Sequence, residues 1–136
     1  MYSTKLSVSI HILSVIALMK APSITSEYIA SSINTNPALV RRLMSRLKKA
    51  RLIQSSTKIG ITGLAKSAKD ITLLDVFFAV EEHSELFSIH TNTNHECPVG
   101  AKIEVTLKHL YDTIQNATEE KLSAITLADI TKEFHS

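Results

Sequence analysis

The sequence predicts a mainly α-helical fold with one small two-stranded β-wing, and three observations lead to it. Only three Gly and three Pro occur in 136 residues, so long loops are few and helix dominates. Apolar residues recur at helical spacing in several segments, and capping residues stand before most of these segments. Two short apolar runs, Leu52-Ile53 and 59–61, flank the polar stretch 54–58, which is typical of a strand pair.

The basic half of the chain reads as a helix-turn-helix followed by the wing. A first helix over about 5–20 is apolar around most of its circumference, which indicates burial on several sides. Thr25 caps the second helix, which ends near Ile33. Asn36 caps the third, with Pro37 at its first position, where the missing N–H costs nothing. The third helix runs to about Lys49 or Ala50.

The acidic half begins with a capping box, in which Thr72 and Asp75 start a helix that runs to about Glu82. The segment 125–130 repeats that pattern and predicts a short final helix. Between them, residues 88–97 are polar and read as a loop. Pro98 then begins a long helix that runs to about Ala117.

The long helix carries apolar residues at spacings of four, three and four, as in the contact face of a coiled coil. This apolar seam comprises Ile103, Leu107, Leu110 and Ile114. Because the small chain has little core elsewhere, we predict that the seam packs against a second copy. The alternative is that it packs on its own chain.

Charge divides the chain at the same place. Residues 1–70 hold 11 Lys and Arg against 2 Asp and Glu, a net +9, whereas residues 71–136 hold 4 against 11, a net −7. A basic region with a helix-turn-helix favours duplex DNA, which an acidic region would repel. We therefore predict a DNA-binding domain over 1–70 and an acidic helical region for dimerisation and sensing over 71–136.

The third helix supplies most of the predicted DNA contacts. Recognition helices insert their N-terminal part into the major groove, where Arg reads guanine, and later basic residues meet phosphates. The wing-tip lysine reaches a minor groove or the backbone. The alternative is a solvated basic face that binds nothing. The predicted interface comprises Thr25, Ser26, Asn36, Pro37, Ala38, Arg41, Arg42, Ser45, Arg46, Lys49 and Lys58.

Other chemistry finds little support in the sequence. No nucleophile elbow, phosphate loop or dinucleotide fingerprint is present, so no enzyme is predicted. His90 and His95 stand near Cys97 at a spacing unlike a zinc site, and we predict no metal and no cofactor. The apolar segment 6–19 is too short to span a bilayer and is interrupted by polar residues. A single cysteine is compatible with the reducing cytoplasm.

Cys97 is the one candidate for reactivity. It precedes Pro98, so we expect it at a helix start, where the positive end of the helix lowers the pKa of a thiol. Glu96 opposes this effect. The alternative is a buried or inert thiol.

Several motifs together resemble the Rrf-two family of bacterial winged helix-turn-helix transcriptional regulators. The matching segments are 28–33, 36–43, 47–53, 71–76 with 79–81, and 97–100. The resemblance implies a homodimer on a palindromic operator, with the long helix as dimer interface and sensing through the segment between the acidic helices. Members that bind an iron–sulfur cluster carry three cysteines there. Because this chain has only Cys97, it looks like the cluster-free branch, some members of which respond to oxidants or electrophiles.

We therefore predict a cytoplasmic, homodimeric, sequence-specific regulator of transcription that binds double-stranded DNA, acts as a repressor and senses redox or electrophile stress through its thiol. One alternative is a winged-helix protein-interaction module, which loss of duplex affinity at low salt would support. Another is a small metal- or redox-binding protein without DNA binding, which stoichiometric metal would support.

Overall fold

The chain folds into helices with one strand pair, which confirms the predicted fold class. The computed structural model describes residues 3–19, 24–58 and 60–134. Two single turns of 3-10 helix, Ala68–Asp70 and Lys132–Phe134, complete the regular structure of these ranges. The remaining elements are α1 (Lys5–Leu18), α2 (Ser26–Ile33), α3 (Pro37–Lys49), β1 (Ile53–Ser56), β2 (Gly60–Leu64), α4 (Leu73–Val80), α5 (Ile103–Ser123) and α6 (Leu127–Thr131).

Local capping sets the starts of α2 and α3, as the sequence predicts. The Thr25 hydroxyl accepts a hydrogen bond from the Tyr28 N–H at 3.0 Å, and the Asn36 carboxamide oxygen accepts one from the Ala38 N–H at 2.7 Å. These bonds satisfy N–H groups that the helix itself leaves unpaired. Between the helices, Asn34 turns the chain in the left-handed conformation, at φ 61°, which Asn tolerates better than most residues.

The end of α3 is closed by a residue that is unusual in this place. Arg51 lies in the left-handed region at φ 63°. Its N–H donates to the Lys48 carbonyl at 2.9 Å, and the next N–H, of Leu52, donates to the Leu47 carbonyl at 3.0 Å. This is a Schellman ending, in which glycine usually holds the left-handed position. The buried side chains of Leu47 and Leu52 supply its apolar part.

The wing is an antiparallel pair, as predicted, and follows directly after α3. Ile53 pairs with Leu64 at its base and Ser56 with Gly60 near its tip, and the register shifts between Gln54 and Ser55. Ile59, part of the predicted second run, lies outside the described residues. The wing thus stands beside the C-terminal end of α3.

Two similar helix starts in the acidic half lie side by side. Thr72 with Asp75, and Thr126 with Asp129, each form a complete capping box. The backbones also exchange hydrogen bonds, since the Leu73 N–H donates to the Ile125 carbonyl at 2.9 Å and the Leu127 N–H to the Ile71 carbonyl at 2.8 Å. The two segments that share a sequence pattern are therefore joined to each other, and α6 is held beside the start of α4.

The apolar core draws on both halves of the sequence. From the basic half it takes the fully buried Leu13 of α1, Ile29 of α2 and Leu43 of α3, and from the acidic half Val76 of α4 and Leu127 of α6. The helices before and after residue 70 share this core. The predicted division of the chain at residue 70 therefore remains a prediction about the functions of the two halves.

α1 carries apolar residues on the face turned away from the core as well. There it forms, with α2 and the C-terminal helices, an open groove that includes large and partly exposed side chains. A helix that is apolar on all sides is normally covered on all sides. The groove is lined chiefly by Ile10, His11, Leu18, Tyr28, Ile130 and Phe134.

The predicted bounds of several helices were wrong by a few residues. The long helix begins at Ile103 rather than Pro98 and ends at Ser123, beyond the predicted Ala117. Residues 95–102 form successive turns instead. The hydroxyl of Thr93, just before these turns, donates a hydrogen bond to the Gly100 carbonyl at 2.5 Å. α4 ends at Val80 rather than Glu82. The predicted end of the first helix, at residue 20, lies outside the described residues.

Candidate nucleic-acid interface

α3 presents a polar and basic face directly opposite its buried one. Val40, Leu43 and Leu47 are fully buried, so the side of the helix facing away from the core is fixed. Because an α-helix has 3.6 residues per turn, positions spaced four, three and four apart form one line along that side. All members of this line are exposed: Ala38, Arg42, Ser45 and Lys49.

The start of α2 and the wing stand beside this face. Arg41, at one edge of it, lines a shallow depression together with Thr25, Ser26 and Gly60. The Arg41 guanidinium lies 3.7 Å from the Glu27 carboxylate, yet its side chain remains 57% exposed. The predicted DNA-contact residues Thr25, Ser26 and Arg41 therefore lie next to Gly60, in the second strand of the wing.

Three predicted residues use their backbone or side chain to build helix starts. Thr25 and Asn36 accept the capping bonds described above, and Pro37 occupies the first position of α3. The Ser26 hydroxyl donates to the Glu27 carboxylate at 3.2 Å. Lys58 is exposed in the turn between the strands. All eleven predicted residues thus lie on α2, α3, the residues that cap them, or the wing.

Arg46 departs from the predicted arrangement. Sequence spacing assigns it to a phosphate, but its guanidinium donates to the Val80 carbonyl at 2.9 Å and also pairs with the Glu82 carboxylate. Its side chain is only 29% exposed. The hydrogen bond from Arg46, followed by the charges of Lys5 and Arg46, lowers the pKa of the Glu82 carboxyl. Arg46 is thus engaged within the chain, and contact with a phosphate would require these bonds to break.

Two basic residues that lie outside both the helices and the predicted set stand near the end of α3. Arg51 and Lys66 line a groove with Lys48 and the strands of the wing. The Lys66 ammonium is 3.8 Å from the Asp75 carboxylate and is 44% exposed. The charge count of the basic half includes both residues. Neither lies in a helix, so helical spacing could not connect them to the basic face.

Cys97 is exposed, as the prediction of a reactive thiol requires, but the predicted helix start is not there. α5 begins six residues later, at Ile103, and Lys102 rather than Cys97 precedes it as the cap residue. Hydrogen bonds from the backbone N–H groups of Gly100 and Val99 instead lower its pKa below the ordinary value near 9.0. The turn itself is tight, since a Cβ on Gly100 would lie 2.1 Å from the Asn94 carbonyl oxygen.

The one thiol of the chain does not supply the donor set of an iron–sulfur cluster. The chain has one cysteine, whereas such clusters are held mainly by several thiolates. Within the described ranges, no three His, Cys, Asp or Glu side chains come together as a metal site would need. The ring of His11, in α1, shares a hydrogen bond with the Ser32 hydroxyl, at 2.9 Å between Nε2 and Oγ.

The second half of the apolar seam of α5 is left exposed by its own chain. Leu110 is 51% and Ile114 44% exposed, and no residue along the helix is buried. Next to the seam, Tyr111 packs its ring against Phe87 at 5.3 Å between centroids. Ile103 and Leu107, in the first half of the seam, are half-buried, so the exposed apolar strip consists of Leu110 and Ile114.

Comparison with known proteins identifies this arrangement. A family model described as an iron-dependent transcriptional regulator, Rrf2, matches residues 2–133. The chain belongs to the Rrf2 family. HTH-type transcriptional regulator YwnA of Bacillus subtilis is 43% identical over 130 residues, which are 96% of each chain. The helix-turn-helix with its basic face is thus that of a DNA-binding regulator of transcription, and the predicted resemblance is confirmed.

Solved structures agree with this assignment. One described as a DNA-binding protein is 38% identical, has a TM-score of 0.76, and covers 93% of this chain and 97% of its own. CymR, named the global cysteine regulator of B. subtilis, is 21% identical with a TM-score of 0.71 over 97% of this chain and 96% of CymR. This second likeness shows the fold. In the described part of the chain, no helix has the length and apolar character to cross a membrane.

Proposed function

We propose that this Rrf2 regulator is a homodimeric repressor that binds a palindromic operator through α3. The observation that carries the proposal is the exposed line of Ala38, Arg42, Ser45 and Lys49, held outward by the buried opposite face. Arg42 lies in the first half of α3, which enters the major groove in helix-turn-helix proteins, and is assigned to base edges. Lys49, at the end of the helix, is assigned to phosphate.

The homodimer is proposed to form through α5. Its seam exposes Leu110 and Ile114 along one side, and the outer groove of α1 exposes further apolar surface. An exposed apolar strip of this kind marks a protein interface. A twofold-symmetric pair would place two copies of α3 at a fixed separation, as a palindromic operator requires.

Substitution of the two basic residues tests DNA binding. Arg42→Ala should weaken binding to the preferred duplex by about 1–3 kcal/mol and relax the base preference at one position. Lys49→Ala should weaken binding to all duplexes alike and reduce the dependence of affinity on salt by about one phosphate. Titration by fluorescence anisotropy at several salt concentrations measures both effects.

Lys108→Ala, on the acidic half, is the matched control for loss of a positive charge. Its ammonium pairs with the Asp112 carboxylate at 3.0 Å and lies far from α3 in sequence. We expect parent affinity and parent salt dependence from this variant. If Arg42→Ala and Lys49→Ala also keep the parent affinity on every duplex, the proposed interface is wrong.

Cys97 is proposed as the sensing residue, and the lowered pKa of its exposed thiol favours this role. A thiolate reacts with oxidants and electrophiles faster than a thiol. Its backbone donors come from the turns that lead into α5. A sulfenic acid, a mixed disulfide or a disulfide across the dimer would change charge and packing there.

The regulator is proposed to act in the cytoplasm, without catalysis and without a bound metal. The last of these rests on the single thiolate ligand of each chain, which does not suit an iron–sulfur cluster. The family description names iron, so metal content is the decisive measurement. Visible absorption of a cluster in protein purified without oxygen would contradict this part of the proposal.

A further inference from the structure

A short segment between α4 and α5 is bonded at one end to α3 and at the other end to α5. Residues 81–86, here called the strap, have no regular secondary structure. The strap follows directly after α4 and precedes the polar loop that contains Cys97. It is therefore placed between the helix assigned to DNA and the helix assigned to dimerisation.

The α3 end of the strap is held by Arg46. Its guanidinium donates to the carbonyl of Val80 at 2.9 Å and to the carboxylate of Glu82. Lys5 of α1 lies 4.0 Å from the same carboxylate. A guanidinium with two separate acceptors fixes direction as well as distance, because its donors lie in a rigid plane. The start of the strap is thus held against the side of α3.

The α5 end is held by the carboxamide of Gln115. Its nitrogen donates to the Ser84 carbonyl at 2.8 Å, and its oxygen accepts from the Leu86 N–H at 2.9 Å. The nitrogen also donates to the Glu119 carboxylate at 2.8 Å, which fixes the orientation of the amide. One side chain therefore satisfies two backbone groups of the strap and positions it along α5.

We infer that Glu82 and Gln115 are positioning residues, which through the strap set the angle between α3 and α5 and thereby the separation of the two recognition helices in the dimer. Arg46 serves this purpose rather than phosphate binding. The inference rests on the proposed dimer, since spacing has meaning only for two copies of α3. Neither positioning residue touches DNA. Both residues determine the distance between half-sites at which the dimer binds most tightly.

The test compares half-site affinity with spacing preference. Three DNA probes are compared. The first is the duplex that the parent protein binds most tightly in a random library. The second is the same duplex with about five base pairs, half a helical turn, inserted between its halves, and the third is one half-site alone. For Glu82→Ala and Gln115→Ala, we expect parent affinity for the half-site. The ratio of affinities for the two spacings should fall by about fivefold or more.

Matched controls separate the strap from charge and from general stability. Glu81→Ala removes the same charge one residue earlier, and Asn116→Ala removes an exposed amide one residue later. Both controls should keep the parent ratio. The double variant Glu82→Ala with Gln115→Ala should show no greater loss than the stronger single variant, because release at either end already frees the strap.

Three results would overturn the inference while leaving the proposed function standing. These are an unchanged spacing ratio in both variants, equal loss on the half-site and on both paired duplexes, and losses that add in the double variant. A parent protein that is monomeric, or that shows no preference between the two spacings, would instead overturn the proposed dimer and the inference with it.

Discussion

Leu110→Ala should weaken the dimer strongly while leaving the protomer folded. Leu110 lies on the seam of α5 and is 51% exposed in the single chain, so its truncation removes little from the core of the protomer. In the proposed dimer, the exposed part of the side chain becomes buried against the partner. The substitution therefore acts mainly on association.

The expected loss of dimer stability follows from the exposed fraction of the Leu110 side chain. Complete burial of a leucine side chain stabilises by about 1.5–3 kcal/mol, so burial of the remaining half contributes about 1 kcal/mol. Twofold symmetry places the substitution in the interface twice, which gives about 2 kcal/mol for the dimer. Since about 1.4 kcal/mol corresponds to a tenfold change, the dimer dissociation constant should rise roughly thirtyfold.

Sedimentation equilibrium over a range of protein concentrations measures this constant. Val105→Ala is the matched control, because Val105 is 75% exposed on the same helix but lies on the side away from the seam. It should leave the dissociation constant unchanged. If Leu110→Ala dimerises as tightly as the parent, or if Val105→Ala weakens the dimer equally, the seam is not the interface.

Three further predictions concern two residues with unusual local environments, Cys97 and Arg51. Because backbone donors lower the pKa of the Cys97 thiol, its alkylation rate should reach half its maximum at a lower pH than that of a cysteine in an unstructured peptide, and an equal or higher midpoint would contradict the assignment. Cys97→Ser should bind DNA like the parent and no longer release it after peroxide treatment; continued release would show that the signal lies elsewhere. Arg51→Gly should raise the free energy of unfolding by about 0.5 kcal/mol, since a left-handed conformation costs most residues about 1–2 kcal/mol and a new glycine returns part of that gain through unfolded-state entropy. Urea unfolding measures the change; Ala50→Gly, at φ −80°, should be destabilising, and an unchanged or lower stability for Arg51→Gly would refute the strain argument.

Elements whose start is set by a nearby side chain were predictable from sequence. Thr25, Asn36, Thr72 and Thr126 each cap the helix that the pattern assigns to them. These contacts span only two or three residues, so they are visible in a short window of sequence. The basic face of α3 was predictable for the same reason, because helical spacing alone separates it from the buried residues.

Contacts between distant segments were not predictable in this way. Arg46 has the spacing of a phosphate-binding residue, and only the packing of α4 beside α3 brings Val80 and Glu82 to it. The start of α5 was misplaced because Pro98 is compatible with a turn as well as with a helix. The close approach of Gly100 to Asn94, which belongs to the preceding loop, favours the turn.

The pairing of the starts of α4 and α6 bears on when the protein can fold during its synthesis. Leu127 is wholly buried, and its N–H bonds to the Ile71 carbonyl, yet the ribosome adds it long after α1–α3. A nascent chain that has released only its basic half still exposes the apolar surface that α4 and Leu127 will cover. The elements that pack against α3 are all synthesised before residue 127, whereas α1 gains its contact with α6 only after that residue has emerged, so this side of α1 is the last part of the core to be covered.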